Sequence, residues 1–328
     1  MSGQTGIKFK AAAVQAGPVL RDAPDYFDTA ATVEKAENLI TEAGGNGARL
    51  IVFPEGWLPC FPYFSLDLHD RAAYTDLWTK YLWSSIEVPG PESDALCAAA
   101  KSAGLYVAMG INERDKHYQG RMYNSILYIG PGGEILGTHR KICNTSQERL
   151  FHTPGDGGEN LKTVFTTEIG NIGGSICGEH HQLPLIYNWA MLGLQVHCSL
   201  WPGHTSLVGI TDISTRGLCV TTKSFGILAA AYIKEENLPK NFYRNSYFSI
   251  PGSLRGGSGI VGPSGNYIAG PVYDEETIVY GDIDLAELDR ARTSANLTGA
   301  YSRWDLFSLN VQPAEYEPLK IMGSGLEI

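Results

Sequence analysis

The sequence predicts an α/β protein. Short apolar runs of strand length alternate with amphipathic helical stretches from Phe9 to Ile283. No glycine-rich phosphate loop follows any of these runs, which argues against a doubly wound nucleotide-binding sheet. A Gly-Pro-x-Gly turn between two strand-like runs occurs once in each half, at residues 130–133 and 262–265. The repeat hints at a duplicated pair of sheets.

Residues 9–16 (FKAAAVQA) are apolar and end at Gly17-Pro18, as a buried first strand would. Ala30, Val33, Ala36, Leu39 and Ile40 recur at helical spacing and predict a helix over 26–43, stopped by Gly44-Gly45. Residues 50–53 form a second short strand, closed by Pro54 and followed at once by Glu55. Residues 56–68 (GWLPCFPYFSLDL) hold too much proline and aromatic character for a regular element and read as an ordered loop. Helices are expected over 70–86 and 91–103, the second with acidic residues in its first turn and Gly104 after its last. Strands are expected over 106–111, 122–129 and 134–139, the last two joined by a type I turn. Further on, strands are expected over 161–166, 172–176, 195–200 and 226–232, with helices over 183–192 and 211–222. A hairpin over 259–270, a strand over 278–283 and a short helix from Asp284 complete the pattern. From Ser294 onward periodicity is lost, and residues 294–328 read as an irregular arm over the surface or a neighbouring subunit. No linker divides the chain.

Composition narrows the function. A formal charge of −10 and the lack of any basic run argue against nucleic acid or anionic membrane as partner. No apolar run reaches the roughly 18 residues of a membrane helix, and residues 1–10 lack a secretory apolar region, so a soluble cytoplasmic protein is expected. The six cysteines are scattered, without zinc-site or disulfide-scaffold spacing. Most are expected to be small buried hydrophobes.

Cys177 differs from the other five. It ends an apolar run inside GGSICGEHHQLPL, residues 173–185, and is followed by glycine and a polar cluster. A thiol there can serve as a nucleophile if its neighbours take its proton. Two other runs end on a reactive group in the same way: FPEGW places Glu55, and HRKICNTSQER places Lys141 with Glu148 seven residues on. Taken singly, Lys141 and Glu148 would be ordinary surface charges, Glu179 a pocket residue or a cap, and His180 and His181 core, surface or base.

Taken together, these stretches resemble the nitrilase superfamily of carbon-nitrogen hydrolases, from AAAVQAGPV through VPGPE to GDIDL. The superfamily's catalytic Glu, Lys and Cys fall on Glu55, Lys141 and Cys177, and its second active-site Glu falls on Glu148. PEGWLPCFPYF, KICNTSQER, CGEHHQLPL and SLWPG resemble the nitrile-cleaving branch, and YSRWDLF is similar to its segment after the domain. Two positions depart from the branch: Gly178 stands where it usually has Trp, and Asn144 where it often has Pro. An absent indole frees on the order of 200 Å² of aromatic surface beside the nucleophile.

The resemblance implies a four-layer α-β-β-α sandwich over residues 1–293, with residues 294–328 as a C-terminal extension packing on a neighbour. It implies a homo-oligomer, a dimer or a larger and even spiral assembly. The implied activity is hydrolysis of a small organic nitrile to its carboxylic acid and ammonia through a cysteine thioimidate and thioester. No metal and no organic cofactor are required. Trp57, Tyr63, Gly178, Glu179, His180 and Trp201 are the expected substrate-binding residues. Three enzyme alternatives stay open on the sequence: an amidase or carbamoylase using the same residues, a cyanide hydratase-like activity, and a Cys177/His180 hydrolase of papain-like logic. A fold that has lost its chemistry and acts as a scaffold is the non-enzymatic alternative.

Overall fold

The computed structural model describes residues 6–64, 70–240 and 252–314. Loop residues 65–68 and the tail from 315 onward, both anticipated from sequence, lie outside the described residues. Two six-stranded sheets stand among them.

The first sheet holds β1 (Lys8–Gln15), β2 (Ala48–Val52), β3 (Tyr106–Arg114), β4 (Met122–Ile129), β5 (Ile135–Arg140) and β12 (Thr277–Asp284), in the order β12-β1-β2-β3-β4-β5. The second holds β6 (Phe165–Thr167), β7 (Gly170–Ile176), β8 (Val196–Trp201), β9 (Phe225–Ala230), β10 (Gly256–Val261) and β11 (Tyr267–Tyr273), in the order β11-β10-β9-β8-β7-β6. Each sheet has three parallel central strands, one antiparallel strand before them and an antiparallel hairpin after them. The duplication suggested by the paired turns is therefore real. Both turns close as expected, Gly133 N–H donating to Gly130 O at 3.0 Å and Gly265 N–H to Gly262 O at 2.9 Å.

The apolar runs are continuous because the central strands are buried on both faces. In β1, Ala11 and Ala13 face the second sheet, while Ala12 and Val14 face the helices. The inter-sheet core joins Leu50, Val52, Ala108 and Ile126 to Ile176, Cys198, Leu200 and Ile227. Helices α1 (Thr29–Gly45) and α3 (Pro91–Ala103) cover the outer face of the first sheet through Val33, Ala36, Ile40, Leu96 and Ala100. Helix α4 (Leu183–Met191) adds Leu185, Ile186 and Trp189 to a cluster that includes Leu218 of α5 (Val208–Thr222), and α5 also packs on β9 and β10 of the second sheet. The layers run α-β-β-α. Each fully buried Leu, Ile or Val contributes about 1.5–3 kcal/mol. Helix α2 (Arg71–Ser84) and the short α6 (Ala286–Ala291) complete the helical set.

Local differences from the sequence reading have local causes. Helix α1 starts at Thr29 because the Asp28 carboxylate caps Ala31 N–H at 3.0 Å and Tyr26 has φ 54°, outside helical space. The strand expected over 161–166 is instead a 3-10 turn, Gly158–Lys162, followed by the three-residue β6. There Asn160 completes the edge of β5: its Oδ1 accepts from Arg140 N–H at 2.6 Å and its Nδ2 donates to Arg140 O at 3.0 Å. A side chain takes the place of the next strand.

Candidate active site

Three strand ends meet at the seam between the sheets. Glu55 follows β2 after Phe53-Pro54, Lys141 is the first residue past β5, and Cys177 is the first residue past β7. Glu55 N–H reaches across the seam toward Trp201 O at 3.4 Å. Lys141 is pinned at both ends of its peptide, its N–H donating to Asn124 O and its carbonyl accepting from Gly155 N–H, each at 2.7 Å.

The side chains form one buried cluster. Lys141 Nζ donates to Glu55 Oε1 at 2.7 Å and to Glu148 Oε2 at 2.6 Å. Asn124 Nδ2 bridges the same carboxylates, at 2.8 Å to Glu55 Oε1 and 2.7 Å to Glu148 Oε1. Glu148 sits in the 3-10 turn Ser146–Leu150, where its Oε2 also accepts from Thr145 N–H (3.0 Å) and Thr145 Oγ1 (2.7 Å). Behind it His152 Nδ1 lies 3.6 Å from Glu148 Oε1, and His152 Nε2 donates to Asn112 Oδ1 at 2.7 Å.

Burial separates the two carboxylates electrostatically. Desolvation, helped by the charge of Glu148, outweighs Lys141 and raises Glu55 to about 7. For Glu148 the same desolvation is overcome by Lys141, and its carboxyl stays well below the usual range. Desolvation opposes the Lys141 ammonium, but Glu148 and Glu55 outweigh it and hold the cation charged. Two acidic groups of one chemical type thus take different protonation states near neutral pH. The Cys177 thiol is pushed well up by burial and by Glu55, with Lys141 and the Gly178 N–H acting in the opposite sense. A resting thiol beside the Glu55 carboxyl results, rather than a preformed thiolate.

Cys177 has φ 46°, in the left-handed region. Holding a non-glycine residue there costs on the order of 1–3 kcal/mol. It opens a 3-10 turn, Cys177–His181. Glu179, wholly buried, fastens that turn: it accepts from Ile176 N–H at 2.9 Å and from Ile142 N–H at 2.8 Å, and His139 Nε2 lies 3.0 Å from its Oε2. The residue before Cys177 and the residue after Lys141 are thereby tied to one carboxylate. Burial opposes its charge, but His139 and the two N–H donors keep the Glu179 carboxyl low.

Cys177 opens on a cavity of about 440 Å³. Its wall includes Phe61, Thr145, Ser146, Gln147, Cys177, Gly178, His181, Trp201, Pro202, Ser206, Leu207 and Ile210. Of the expected substrate-binding residues it takes in Gly178 and Trp201, but not Trp57, Tyr63, Glu179 or His180. Trp57 is core: its indole N–H donates to Ala16 O at 2.8 Å and its ring packs on Phe53. Tyr63 is buried with its hydroxyl donating to Pro202 O at 2.6 Å, so Phe61 is the loop aromatic on the wall. Glu179 is spent on main-chain N–H groups. His180 Nδ1 donates to Cys177 O at 2.8 Å, its Nε2 meets Ser199 Oγ and His197 Nε2, and burial lowers its pKa to about 4. Both ring nitrogens are engaged away from the thiol.

At Gly178 a Cβ would lie 2.7 Å from Thr145 Cγ2. The threonine methyl occupies the space a side chain would need, and its hydroxyl is held on Glu148.

Sequence reasoning missed Asn124, Thr145, Gln147, Ser206 and the His139/Glu179 pair. Asn124 carried a signal, since Asn-Ser interrupts an otherwise apolar strand, MYNSILYI. Thr145 and Gln147 lay within KICNTSQER, and Ser206 had no signal.

The architecture and the strand-end cluster define a sandwich hydrolase fold, and solved structures agree on the fold. Saccharomyces cerevisiae Nit3, a member of branch 10 of the nitrilase superfamily, superposes with a TM-score of 0.68 at 20% identity, over 91% of this chain and 98% of that one. The Caenorhabditis elegans NitFhit protein gives 0.70 at 16% identity, over 96% and 70%. The carbon-nitrogen hydrolase family model matches residues 10–293. This chain belongs to that family, and within it to the nitrilase branch. It is 35% identical to "Nitrilase 2" of an unknown prokaryotic organism over 90% of this chain and 92% of that protein. It is 33% identical to the "Bifunctional nitrilase/nitrile hydratase NIT4A" of Lupinus angustifolius (98% and 92%) and 35% to the "Aliphatic nitrilase" of Sinorhizobium fredii (93% and 96%).

Proposed function

We propose that the chain is a nitrilase in which Cys177 attacks the nitrile carbon. The Cys177 proton passes to Glu55 and from there to the nitrile nitrogen as the sulfur–carbon bond forms, giving a thioimidate. Water, deprotonated by Glu55, adds to that carbon and the nitrogen takes up the proton; the proton of the added hydroxyl then passes through Glu55 to the same nitrogen as the carbonyl forms, ammonia leaves, and a thioester remains. A second water adds in the same way and returns the thiol, releasing the carboxylic acid. Lys141 stabilises the charge that gathers first on nitrogen and then on oxygen. Glu148 keeps Lys141 aimed and charged. Departure of the thiol before ammonia would release an amide instead.

The observation that carries the reading is the Glu55–Lys141–Glu148 cluster, buried and closed on itself, beside a strained cysteine that opens on a cavity. The other ionisable group among that cavity's wall residues is His181, so an uncharged substrate fits best. The test is to incubate the protein with aliphatic, arylaliphatic and aromatic nitriles, the matching amides and cyanide, and to quantify acid, amide and ammonia. Cys177→Ala must lose all turnover. Hydrolysis of amides alone would overturn the reading.

The same proposal includes assembly and location. Tyr301, Trp304 and Phe307 of the tail are 67%, 59% and 72% exposed, and Ile213 of α5 is 72% exposed. Such surface suits burial in a homo-oligomer, with residues 294–328 lying on a neighbouring copy of a domain spanning 1–293. Light scattering on the purified protein checks this, and a monomer would refute it. The cysteines are unpaired, which suits a reducing compartment such as the cytoplasm, and no described helix is long and apolar enough to cross a membrane.

A further inference from the structure

Asn124 lies wholly buried within β4, at the centre of the cluster. Its amide hydrogens go to two different carboxylates, Glu55 Oε1 at 2.8 Å and Glu148 Oε1 at 2.7 Å. Chemistry fixes this orientation, because an ionised carboxylate only accepts and the amide nitrogen must face both.

The two carboxylates are served very differently. Glu148 receives donors on both oxygens: Asn124 on Oε1, and Lys141 with Thr145 on Oε2. Both donors to Glu55, Lys141 and Asn124, fall on Oε1, while Oε2 is buried and has none among the described residues. A carboxylate oxygen offers about two in-plane lone pairs. Those of Oε1 are occupied.

We propose that Asn124 is a positioning residue that makes Glu55 a one-sided base. By filling Oε1 it leaves Oε2 as the oxygen that takes the Cys177 proton and returns it, and by bridging to Glu148 it holds the two carboxylates in register. This rests on the reading of Glu55 as the general base. The charged and titratable groups around Glu55 are Lys141, Glu148 and the Cys177 thiol, with His152 and Tyr81 beyond Glu148. Asn124 supplies a donor without adding another charge to them.

Asn124→Leu removes the donor and keeps the approximate volume. Asn124→Asp keeps the shape and exchanges the donor for an acid. Both make the ionised form of Glu55 harder to reach. For each variant and the wild type, kcat/KM is measured against pH on the nitrile that the wild type turns over best, and Cys177 alkylation by iodoacetamide is followed over the same range. The acid limb is expected to move up by about one pH unit in Asn124→Leu, and at least as far in Asn124→Asp. A folded variant that is slower but keeps the wild-type limb makes Asn124 merely structural and overturns the inference. If Asn124→Leu does not fold, the isosteric Asn124→Asp carries the test alone. Wild-type activity that survives Glu55→Gln would instead remove the base reading itself, so the two failures are distinguishable.

Discussion

Glu148→Gln tests the electrostatics of the cluster in a way that simple damage cannot imitate. The carboxylate accepts from Asn124 Nδ2, Lys141 Nζ, Thr145 N–H and Thr145 Oγ1, and is 1% exposed. A glutamine has the same shape but one acceptor oxygen. Turned toward Lys141, its NH2 would meet an ammonium and two further donors; turned toward Asn124, it meets one NH2. The second pose is the cheaper. It loses one charge-assisted hydrogen bond, about 1.5–3 kcal/mol, and leaves the buried Lys141 with Glu55 as its carboxylate partner, for a total of about 3–5 kcal/mol. Urea denaturation reads that loss. The negative charge of Glu148 also raises Glu55, so its removal lets Glu55 fall below its value of about 7. The plateau of kcat/KM should therefore drop while its acid limb moves to lower pH, measured by ammonia release from a nitrile. A folded variant whose limb stays in place or moves up would refute the reasoning.

Other expectations follow from the same geometry. In the wild type the acid limb of kcat/KM should fall near pH 7, where Glu55 ionises. Because folding raises Glu55, its stabilising contribution is full below 4.5 and is lost as pH rises toward about 7, which denaturation midpoints across that window will show. Glu148 acts in the opposite sense: its contribution is present above 4.5 and is lost as pH falls below that value. Gly178→Ala places a methyl 2.7 Å from Thr145 Cγ2 and should cost about 1–3 kcal/mol with slower turnover, checked by thermal melting and kinetics. Glu179→Ala strands His139 and two main-chain N–H groups and should destabilise by about 3–5 kcal/mol, whereas His180→Ala should slow the enzyme without abolishing it. Complete inactivity of a folded His180→Ala protein, with Glu55→Gln still active, would favour a cysteine–histidine hydrolase.

The parts of the molecule legible in the sequence were those set by one-dimensional patterns. Strands buried on both faces write themselves as unbroken apolar runs, and Glu55 and Cys177 stood out because each follows such a run, whereas Lys141 follows the half-buried ILGTHR of β5 and stood out through the resemblance of KICNTSQER to the nitrile-cleaving branch. Boundaries that depend on a single distant partner did not stand out, as at Asn160, whose side chain completes β5 from twenty residues away. The cavity wall was the least legible part. Trp57 and Tyr63 are the large amphipathic residues one expects around a substrate, yet Ala16 O and Pro202 O satisfy their polar atoms inside the core. Small residues such as Ser146 and Ser206 line the space instead, and nothing in their neighbourhood along the chain distinguishes them from ordinary loop positions. Glu179 misled for a related reason: adjacency to Cys177 in sequence placed it near the pocket, but its carboxylate faces two main-chain N–H groups and His139.

The duplicated sheets give the chemistry an unusual dependence. Glu55 and Lys141 follow strands of the first sheet and Cys177 a strand of the second. Neither repeat carries the whole cluster, and Glu55 meets Cys177 only when the two faces close on each other. In that respect the chain behaves as two complementary subunits that share one backbone, locked by β12, which leaves the second half to pair with β1 along eight residues. Severed between β5 and β6, the two fragments would each be inert, and turnover would report how completely they had found one another.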